Sequence, residues 1–176
     1  MNIYFKSKYL SERLNINLAK WKRWSRDFLT PDPLGGLQSG VARQFNLKDA
    51  FKVYLGGYLV GELKLTIPEA LIVLKDLSSW LKKNGYFGLE ATIAKRSLQS
   101  APTHMIYLYR EGHQKWCYAV RTLEGAADSD DVDKVGEIYS QTLIGTSVDP
   151  LASGAAESAH VIVISTLFNN FLNKIS

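Results

Sequence analysis

Four cationic side chains lie within seven residues near the start of this 176-residue chain. They are Lys20, Lys22, Arg23 and Arg26, which together form a basic ridge. Lysine and arginine donate hydrogen bonds to phosphate oxygens, and arginine also pairs with base edges. At about 100° per residue, a helix that begins at Leu18 places the small residue Ala19 on the same side as the last three of these cations. This pattern predicts a helix that approaches a polyanion closely.

The opposite side of the same segment is apolar. Trp21, Trp24 and Phe28 recur at helical spacing after Leu18, which predicts a stripe that packs into a core. Asn17 stands directly before the segment, where its side chain can cap the first turn. We therefore predict a helix over Leu18–Phe28 whose basic ridge enters the major groove of DNA. A solvated charged face is the alternative interpretation, and base stacking by the tryptophans is disfavoured because both lie on the apolar side.

Groups for other kinds of chemistry are sparse. The single cysteine, Cys117, excludes an intrachain disulfide and a cysteine-rich zinc site. The three histidines lack metal-ligand spacing; they are His104, His113 and His160. A calcium loop beginning at Asp128 would need glycine sixth and glutamate twelfth, where Asp133 and Tyr139 stand, so this acidic run predicts a solvated loop. No nucleophile elbow, phosphate-binding loop or dinucleotide fingerprint occurs, and we expect no enzyme activity, no metal and no cofactor.

Composition and charge narrow the class of protein further. Hydrophobic residues make up 46% of the chain and charged residues 22%, which is ordinary for a globular protein. No apolar run approaches the roughly 18 residues of a membrane span, and the N-terminus lacks the apolar core of a signal peptide, so we expect a cytoplasmic protein without a membrane partner. Residues 1–85 carry 14 Lys/Arg and 7 Asp/Glu, whereas residues 86–176 carry 7 and 10. The first half is therefore the candidate polyanion binder.

The elements predicted before and after the ridge helix form a connected series. A short helix over Lys8–Leu14 and a three-residue turn precede it, which makes a helix-turn-helix. Pro31 and Pro33 stop the ridge helix. The Gly-rich stretch up to Phe45 predicts a hairpin or wing, in which Arg43 is equally well explained as a phosphate contact or as a plain strand charge.

Two further helices are predicted in the first half. Asn46 begins the first of them, and Gly56-Gly57 is expected to end it near Leu55. Thr66-Ile67-Pro68-Glu69 predicts a capping box, with proline in the first turn of a helix that runs to Gly85. The apolar positions of this last helix cover more than one stripe, so we expect it to be covered on two sides.

The second half mixes strand and helix patterns. Alternating residues on either side of residues 111–113 predict a hairpin, and an ambiguous segment, a strand at His160–Ser165 and a helix over Thr166–Ile175 follow. The hairpin aromatics are explained either as a sheet core, which is favoured, or as the lining of a ligand pocket; they are Tyr107, Tyr109, Trp116 and Tyr118. The helix has an apolar stripe that covers either its own sheet or a second copy; its members are Leu167, Phe168, Phe171, Leu172 and Ile175.

The order of elements in the first half resembles the DNA-binding domain of the MerR family. The match runs without a gap over Leu10–Leu29, where Asn15-Ile16-Asn17 fits the family's Gly-Val-Ser turn. Trp21 and Trp24 fit the apolar and aromatic positions of its recognition helix. Gly40–Phe45 resembles the wing signature Gly-Tyr-Arg-x-Tyr with one extra residue. The resemblance covers about the first 85 residues and implies a winged helix-turn-helix that binds DNA; the family's long dimerisation helix and metal-sensing cysteines are not evident.

These features predict an α+β protein of two domains. A winged helix-turn-helix DNA-binding domain occupies residues 1–85, and a small mixed α/β domain with an antiparallel hairpin, for dimerisation or ligand sensing, occupies residues 86–176. The expected function is sequence-specific binding of double-stranded DNA in transcription regulation; the alternative is an architectural or anchoring DNA-binding protein whose second domain docks a protein partner. A homodimer is expected, and the second domain leaves room for a small-molecule effector. The expected DNA contacts are Asn17, Ala19, Lys20, Lys22, Arg23, Arg26 and Arg43.

Overall fold

The first described elements are a short strand and two helices joined by a tight turn. These are β1 (Phe5–Lys6), α1 (Ser7–Arg13) and α2 (Leu18–Phe28). Asn15 in the turn has a φ of 55°, in the left-handed region that asparagine adopts more readily than most residues.

The computed structural model describes residues 4–32, 42–88, 102–111, 115–126, 137–154 and 156–176. Within them it confirms the predicted helix over Leu18–Phe28.

A second short strand closes the first sheet. β2 (Gln44–Phe45) pairs antiparallel with β1, and Phe5 lies opposite Phe45. Phe45 is buried and its ring meets Trp21 edge-on, with 5.7 Å between the ring centroids. The strand pairing therefore ties the segment that carries Arg43 to the core beneath α2. Residues 33–41, which contain most of the predicted wing, lie outside the described residues.

Side-chain caps set the start of the next two helices. In α3 (Leu47–Gly61), Asn46 Oδ1 accepts a hydrogen bond from the Asp49 backbone N–H at 2.7 Å. In α4 (Ile67–Lys83), Thr66 and Glu69 form the predicted capping box, and Gly85 just beyond the helix end has a φ of 79°. Both predicted starts and the predicted end of α4 are confirmed.

The predicted end of α3 near Leu55 is wrong, because Gly56 and Gly57 lie inside the helix rather than beyond it. Their role is close packing. A Cβ atom placed on Gly56 would lie 2.6 Å from Phe28 Cδ2, and one placed on Gly57 would lie 2.3 Å from Trp24 Cζ3. Only a residue without a side chain lets these two rings rest on the α3 backbone. Gly56 and Gly57 are therefore needed because α2 packs closely against α3. This contact is between distant segments, and the local sequence does not reveal it.

The described residues fall into two compact units, the first comprising Met1–Lys95 with Asn170–Ser176 and the second Arg96–Asn169. The last seven residues thus pack with the first unit, whereas the sequence interpretation placed them in the second domain. The Phe171 ring is fully buried, with its centroid 5.3 Å from the rings of both Phe51 and Tyr54. Tyr9 Oη also donates a hydrogen bond to the Ile175 carbonyl at 2.9 Å. Phe171 therefore packs against α3, which neither of the two alternatives for this stripe, its own sheet or a second copy, predicted.

The second unit contains a four-stranded antiparallel sheet. Its strands are β3 (Thr103–Glu111), β4 (Lys115–Ala126), β5 (Glu137–Ile144) and β6 (His160–Val163), in the order β5-β4-β3-β6. The predicted hairpin is β3-β4, in which Tyr109 lies opposite Cys117. The ambiguous segment forms the edge strand β5. A short helix, α5 (Pro150–Ser153), and the helix α6 (Ile164–Ile175) complete the elements. Helices and antiparallel sheets together confirm the predicted α+β class.

Both faces of this sheet bury side chains. Ile106, Leu108, Tyr118, Val120 and Ile162 alternate onto one face and are almost fully buried. On the other face, Tyr109, Cys117 and Ala119 form a second buried cluster. The hairpin aromatics are thus largely sheet core, as the favoured interpretation predicted, although Tyr107 is only half-buried. None of the helices in the described ranges is both long and apolar enough to cross a membrane.

Candidate nucleic-acid interface

The basic ridge is exposed because the opposite side of α2 is locked in the core. Trp21 is fully buried, and Trp24 and Phe28 are 7% and 2% exposed. The side chains of the four cations and of Ala19 are all exposed. Burial of the tryptophans confirms their predicted core role, and it removes the base-stacking alternative because neither indole offers a free face to a base. The helix is thus held by its aromatic stripe and presents its cations to solvent.

Asn17 serves the helix directly. Its Oδ1 accepts hydrogen bonds from the backbone N–H groups of Ala19 at 2.9 Å and Lys20 at 3.3 Å. The cap satisfies donors that α2 would otherwise leave free at its exposed end. Asn17 therefore positions the front of the ridge, and its oxygen is committed to the helix rather than to a ligand.

A concave surface of about 580 Å³ lies on one side of the ridge, between the start of α1, α2 and the segment at β2. This first groove is lined by Lys6, Ser7, Lys8, Leu18, Ala19, Lys22, Ser25, Arg26, Ala42, Arg43 and Phe45. Five of these residues are cationic and none is acidic. The floor is partly apolar and the walls are positive, so the groove fits a chain of anionic groups better than a neutral ligand.

Arg43 is held in place at this groove. Its Nη2 donates a hydrogen bond to the Thr30 carbonyl at 2.9 Å, and its guanidinium carbon lies 5.8 Å from the centroid of the Phe45 ring. These contacts orient one edge of the guanidinium group and leave further N–H groups on it. Arg43 thereby joins Lys22 and Arg26 in one groove, although it is far from them in sequence.

Two members of the groove, Lys6 and Lys8, were missed by the sequence analysis. They stand at the end of β1 and in the first turn of α1, and both side chains are exposed. The β1-β2 pairing brings this segment beside Arg43, across almost forty intervening residues. The only sequence signal was the alternation of Lys6 and Lys8 around Ser7, which is too common to single them out.

The remaining two ridge cations face a second groove. This concavity of about 480 Å³ is lined by Ala19, Lys20, Arg23, Trp24, Val60 and Ile67. Lys20 Nζ lies 4.8 Å from the centroid of the Trp24 ring. Arg23 Nε lies 3.9 Å from Asp27 Oδ2, one helical turn away; the arginine is exposed and the aspartate is half-buried. Both contacts restrain long side chains without removing them from solvent. The ridge therefore separates two grooves, and Ala19 lines both.

Other reactive groups in the described residues lie away from the two grooves. Within the described ranges, no three histidine, cysteine or acidic side chains are close enough to hold a metal ion. Cys117 is buried, with Sγ 3.6 Å from both Glu111 Oε2 and the Gly145 carbonyl oxygen. Burial, assisted by Cys117, Asp149 and Glu111, raises the pKa of Tyr109 to about 12. The acidic run at Asp128–Asp133 lies outside the described residues.

A comparison with models of known protein families finds no match to this chain, and a comparison with curated proteins finds none either.

Proposed function

We propose that this protein binds double-stranded DNA by placing α2 in the major groove. The observation that carries this proposal is the basic ridge: four exposed cations on one helix, anchored from behind by buried aromatic rings. An α-helix fits the width of the major groove, and arginine is the side chain most often used there to read guanine. The exposed methyl group of Ala19 leaves the front of the helix narrow enough for close approach.

The first groove supports a phosphate contact beside the base contacts. Its five cations come from β1, α1, α2 and the residue before β2, and none of the described residues that line it carries a carboxylate to compete for them. A protein that neutralises several phosphates releases their counterions, so its affinity falls steeply as the salt concentration rises. We therefore propose that Lys22, Arg26 and Arg43 contact the phosphates of the DNA backbone. Lys20 and Arg23 lie on the side of the helix that faces the base edges in the major groove.

We further propose that the first unit is a winged helix-turn-helix and that the protein regulates transcription. The order of α1, a tight turn, α2 and the Arg43 segment supports this, as does the resemblance to the MerR family over Leu10–Leu29. An architectural or anchoring protein is the second candidate, since the same DNA-binding surface serves that role and the second unit would then dock a protein.

Selection of genomic fragments by the purified full-length chain tests these proposals. A regulator enriches a few fragments that share one short motif near promoters. An architectural protein enriches many dispersed fragments that differ in sequence. Retention of no duplex at low salt, where phosphate contacts are strongest, would refute DNA binding altogether.

A homodimer on two half-sites about one helical turn apart is also proposed, because one α2 offers few base contacts. With Phe171 buried, the remaining candidate for self-contact is the outer side of α4, where Leu71 and Ile72 are 39% and 46% exposed. Light scattering of the protein with and without a selected duplex tests this proposal. We expect two chains per duplex, and Ile72→Asp is expected to reduce this to one without unfolding the chain. One wild-type chain per duplex refutes the dimer.

A further inference from the structure

One half of a face of the second-unit sheet is open and carries a single arginine. Arg121 on β4 lies opposite Met105 on β3 and Gln141 on β5, and Met105 in turn lies opposite Val163 on β6. Directly paired residues share a face, so these four side chains form one row across the sheet. Further along the same face, Tyr109, Cys117 and Ala119 are buried. Around the Arg121 row, by contrast, Tyr139, Val161 and Val163 are 50%, 43% and 37% exposed.

The Arg121 side chain is held by three contacts. Its guanidinium carbon lies 5.0 Å from the ring centroid of Tyr107 on one neighbouring strand and 5.0 Å from that of Tyr139 on the other. Its Nε donates a hydrogen bond to Gln141 Oε1 at 3.0 Å, and Gln141 Nε2 donates to Asp149 Oδ2 at 2.7 Å. A cation that lies over two rings and is fixed through Nε loses little further side-chain entropy when it binds a ligand.

Among the described residues, none occupies the terminal nitrogens of Arg121, which leaves them for a ligand. Within the residues that the structure describes, the hydrogen bond of Arg121 uses Nε, its guanidinium carbon lies over two rings, and Nη1 and Nη2 have no hydrogen-bond acceptor. Two parallel N–H groups match the two oxygens of a carboxylate. The nearest carboxylate in this network, Asp149, is separated from the guanidinium group by Gln141.

The surroundings of Arg121 indicate a small monoanion rather than a polyanion. Lys115 lies on the same face but is paired with Glu111, with 3.7 Å between Nζ and Oε2. Residues 86–176 carry three more acidic than basic side chains, which opposes the approach of DNA or RNA. A second copy of this face would bring Arg121 against Arg121. The apolar side chains beside it, Met105 and Val163, extend over two strand spacings, or about 10 Å.

We propose that this row binds a small acid whose carboxylate pairs with the Nη1 and Nη2 groups of Arg121 and whose apolar body lies over Met105 and Val163. An aromatic or medium-chain aliphatic acid has the length that this row accommodates. The proposal does not depend on DNA binding, and the two are tested separately.

Titration of the ¹⁵N-labelled full-length chain followed by NMR tests this site. The probes are phenylacetate and octanoate. The controls are 2-phenylethanol, a neutral analogue, and inorganic phosphate, an anion without an apolar group. We expect either acid to give saturable shifts at Arg121 and its strand neighbours, and weaker effects from the other two compounds. No saturable shift from either acid up to about 10 mM, a concentration that detects even millimolar affinity, overturns the proposal. Equal binding of 2-phenylethanol or of phosphate overturns it as well.

Substitutions of Arg121 distinguish the contribution of its two parallel N–H groups, the guanidinium fork, from that of its positive charge. Arg121→Gln is expected to weaken binding of the responding acid at least tenfold, and Arg121→Lys, which keeps the charge but loses the fork, to an intermediate extent. Arg110→Gln is the matched control, because Arg110 also stacks on an aromatic ring of this sheet, with 4.6 Å to the Trp116 centroid, but alternates onto the opposite face. Far-ultraviolet circular dichroism and thermal unfolding verify that each variant is folded. Unchanged affinity in folded Arg121→Gln refutes the assignment.

Discussion

At the scale of single residues, the cations of α2 divide by the groove that they face. Lys22 and Arg26 line the first groove, together with three cations from other elements. Lys20 and Arg23 line the second groove, with an aromatic ring and apolar side chains. The ridge is therefore not a uniform positive strip, and the proposed DNA complex assigns different roles to its two sides.

This division predicts different effects for two alanine substitutions. Arg23→Ala is expected to cost about 1–3 kcal/mol of binding to a selected duplex and to reduce discrimination against random DNA. Lys22→Ala is expected to weaken binding to both duplexes alike and to lower the slope of log affinity against log salt by about 1. Fluorescence anisotropy over a salt series measures both quantities. Lys75→Ala, an exposed lysine of α4 that lines neither groove, is the control. Identical behaviour of all three variants contradicts the assignment.

Tyr109 carries a buried hydroxyl group whose Oη has no hydrogen-bond partner among the described residues. Burial raises its pKa to about 12, above the ordinary value of 10. The folded state therefore holds this proton more tightly than the unfolded state, so Tyr109 destabilises the fold progressively as the pH rises from 10 to 12. Below pH 10 this effect is absent.

Tyr109→Phe is accordingly expected to leave the free energy of unfolding unchanged or higher at pH 7, since no hydrogen bond is lost. At pH 11 the variant is expected to be more stable than the wild-type protein. Urea unfolding at the two pH values measures the difference. A variant that is less stable at both values would contradict the unpartnered state of the hydroxyl group.

At the scale of elements, the sequence predicted what is decided locally. The start of α2 and the capping box of α4 depend on residues within one turn, and both are confirmed. The end of α3 was predicted wrongly because Gly56 and Gly57 respond to rings on α2, about thirty residues away. Lys6 entered the first groove unpredicted for the same reason, since a strand pairing placed it there. Local rules fix helix starts, whereas non-local packing determines which residues share a surface.

The α2-α3 contact gives a sharp test within one helix. Gly57→Ala is expected to destabilise the first unit by about 1–3 kcal/mol, because the new Cβ meets the rigid Trp24 ring at 2.3 Å and overpacks the core. Gly61→Ala is the control: a Cβ there meets no atom within 4 Å, so the better helix propensity of alanine leaves stability unchanged or slightly raised. Chemical denaturation followed by tryptophan fluorescence measures both. Equal stability of the two variants would show that the ring can move aside.

At the scale of the whole molecule, charge and connectivity distinguish the two units. The basic excess is confined to the first 85 residues, and the last seven residues return to that same unit. The apolar stripe of the final helix was predicted from its spacing, but sequence periodicity reports only that a face is buried and not what buries it. At the end of α6, the buried face of Phe171 is covered by Phe51 and Tyr54 of α3.

Phe171→Asp therefore tests the first unit and not the second alone. Burying a carboxylate between Phe51 and Tyr54 in place of the ring is expected to cost about 3–5 kcal/mol, by loss of packing and by desolvation of the charge. Tryptophan fluorescence should report earlier unfolding in urea, and binding to a selected duplex should fall with it. Asn173→Asp, an exposed position of the same helix, is the control. Wild-type stability of Phe171→Asp contradicts the packing.

The hydrogen bond from Tyr9 to the Ile175 carbonyl joins residues 166 positions apart, and this has a consequence for biosynthesis. A ribosome delivers α1 to α4 early, yet the rings of Phe51 and Tyr54 receive Phe171 only after every strand of the second unit has been translated. Until then the nascent first unit exposes an apolar site that its own chain has not yet filled, and exposed apolar surface of this kind promotes aggregation. The first elements of the first unit are thus translated before the second unit, whereas the core of the first unit is completed only after the second unit has been translated.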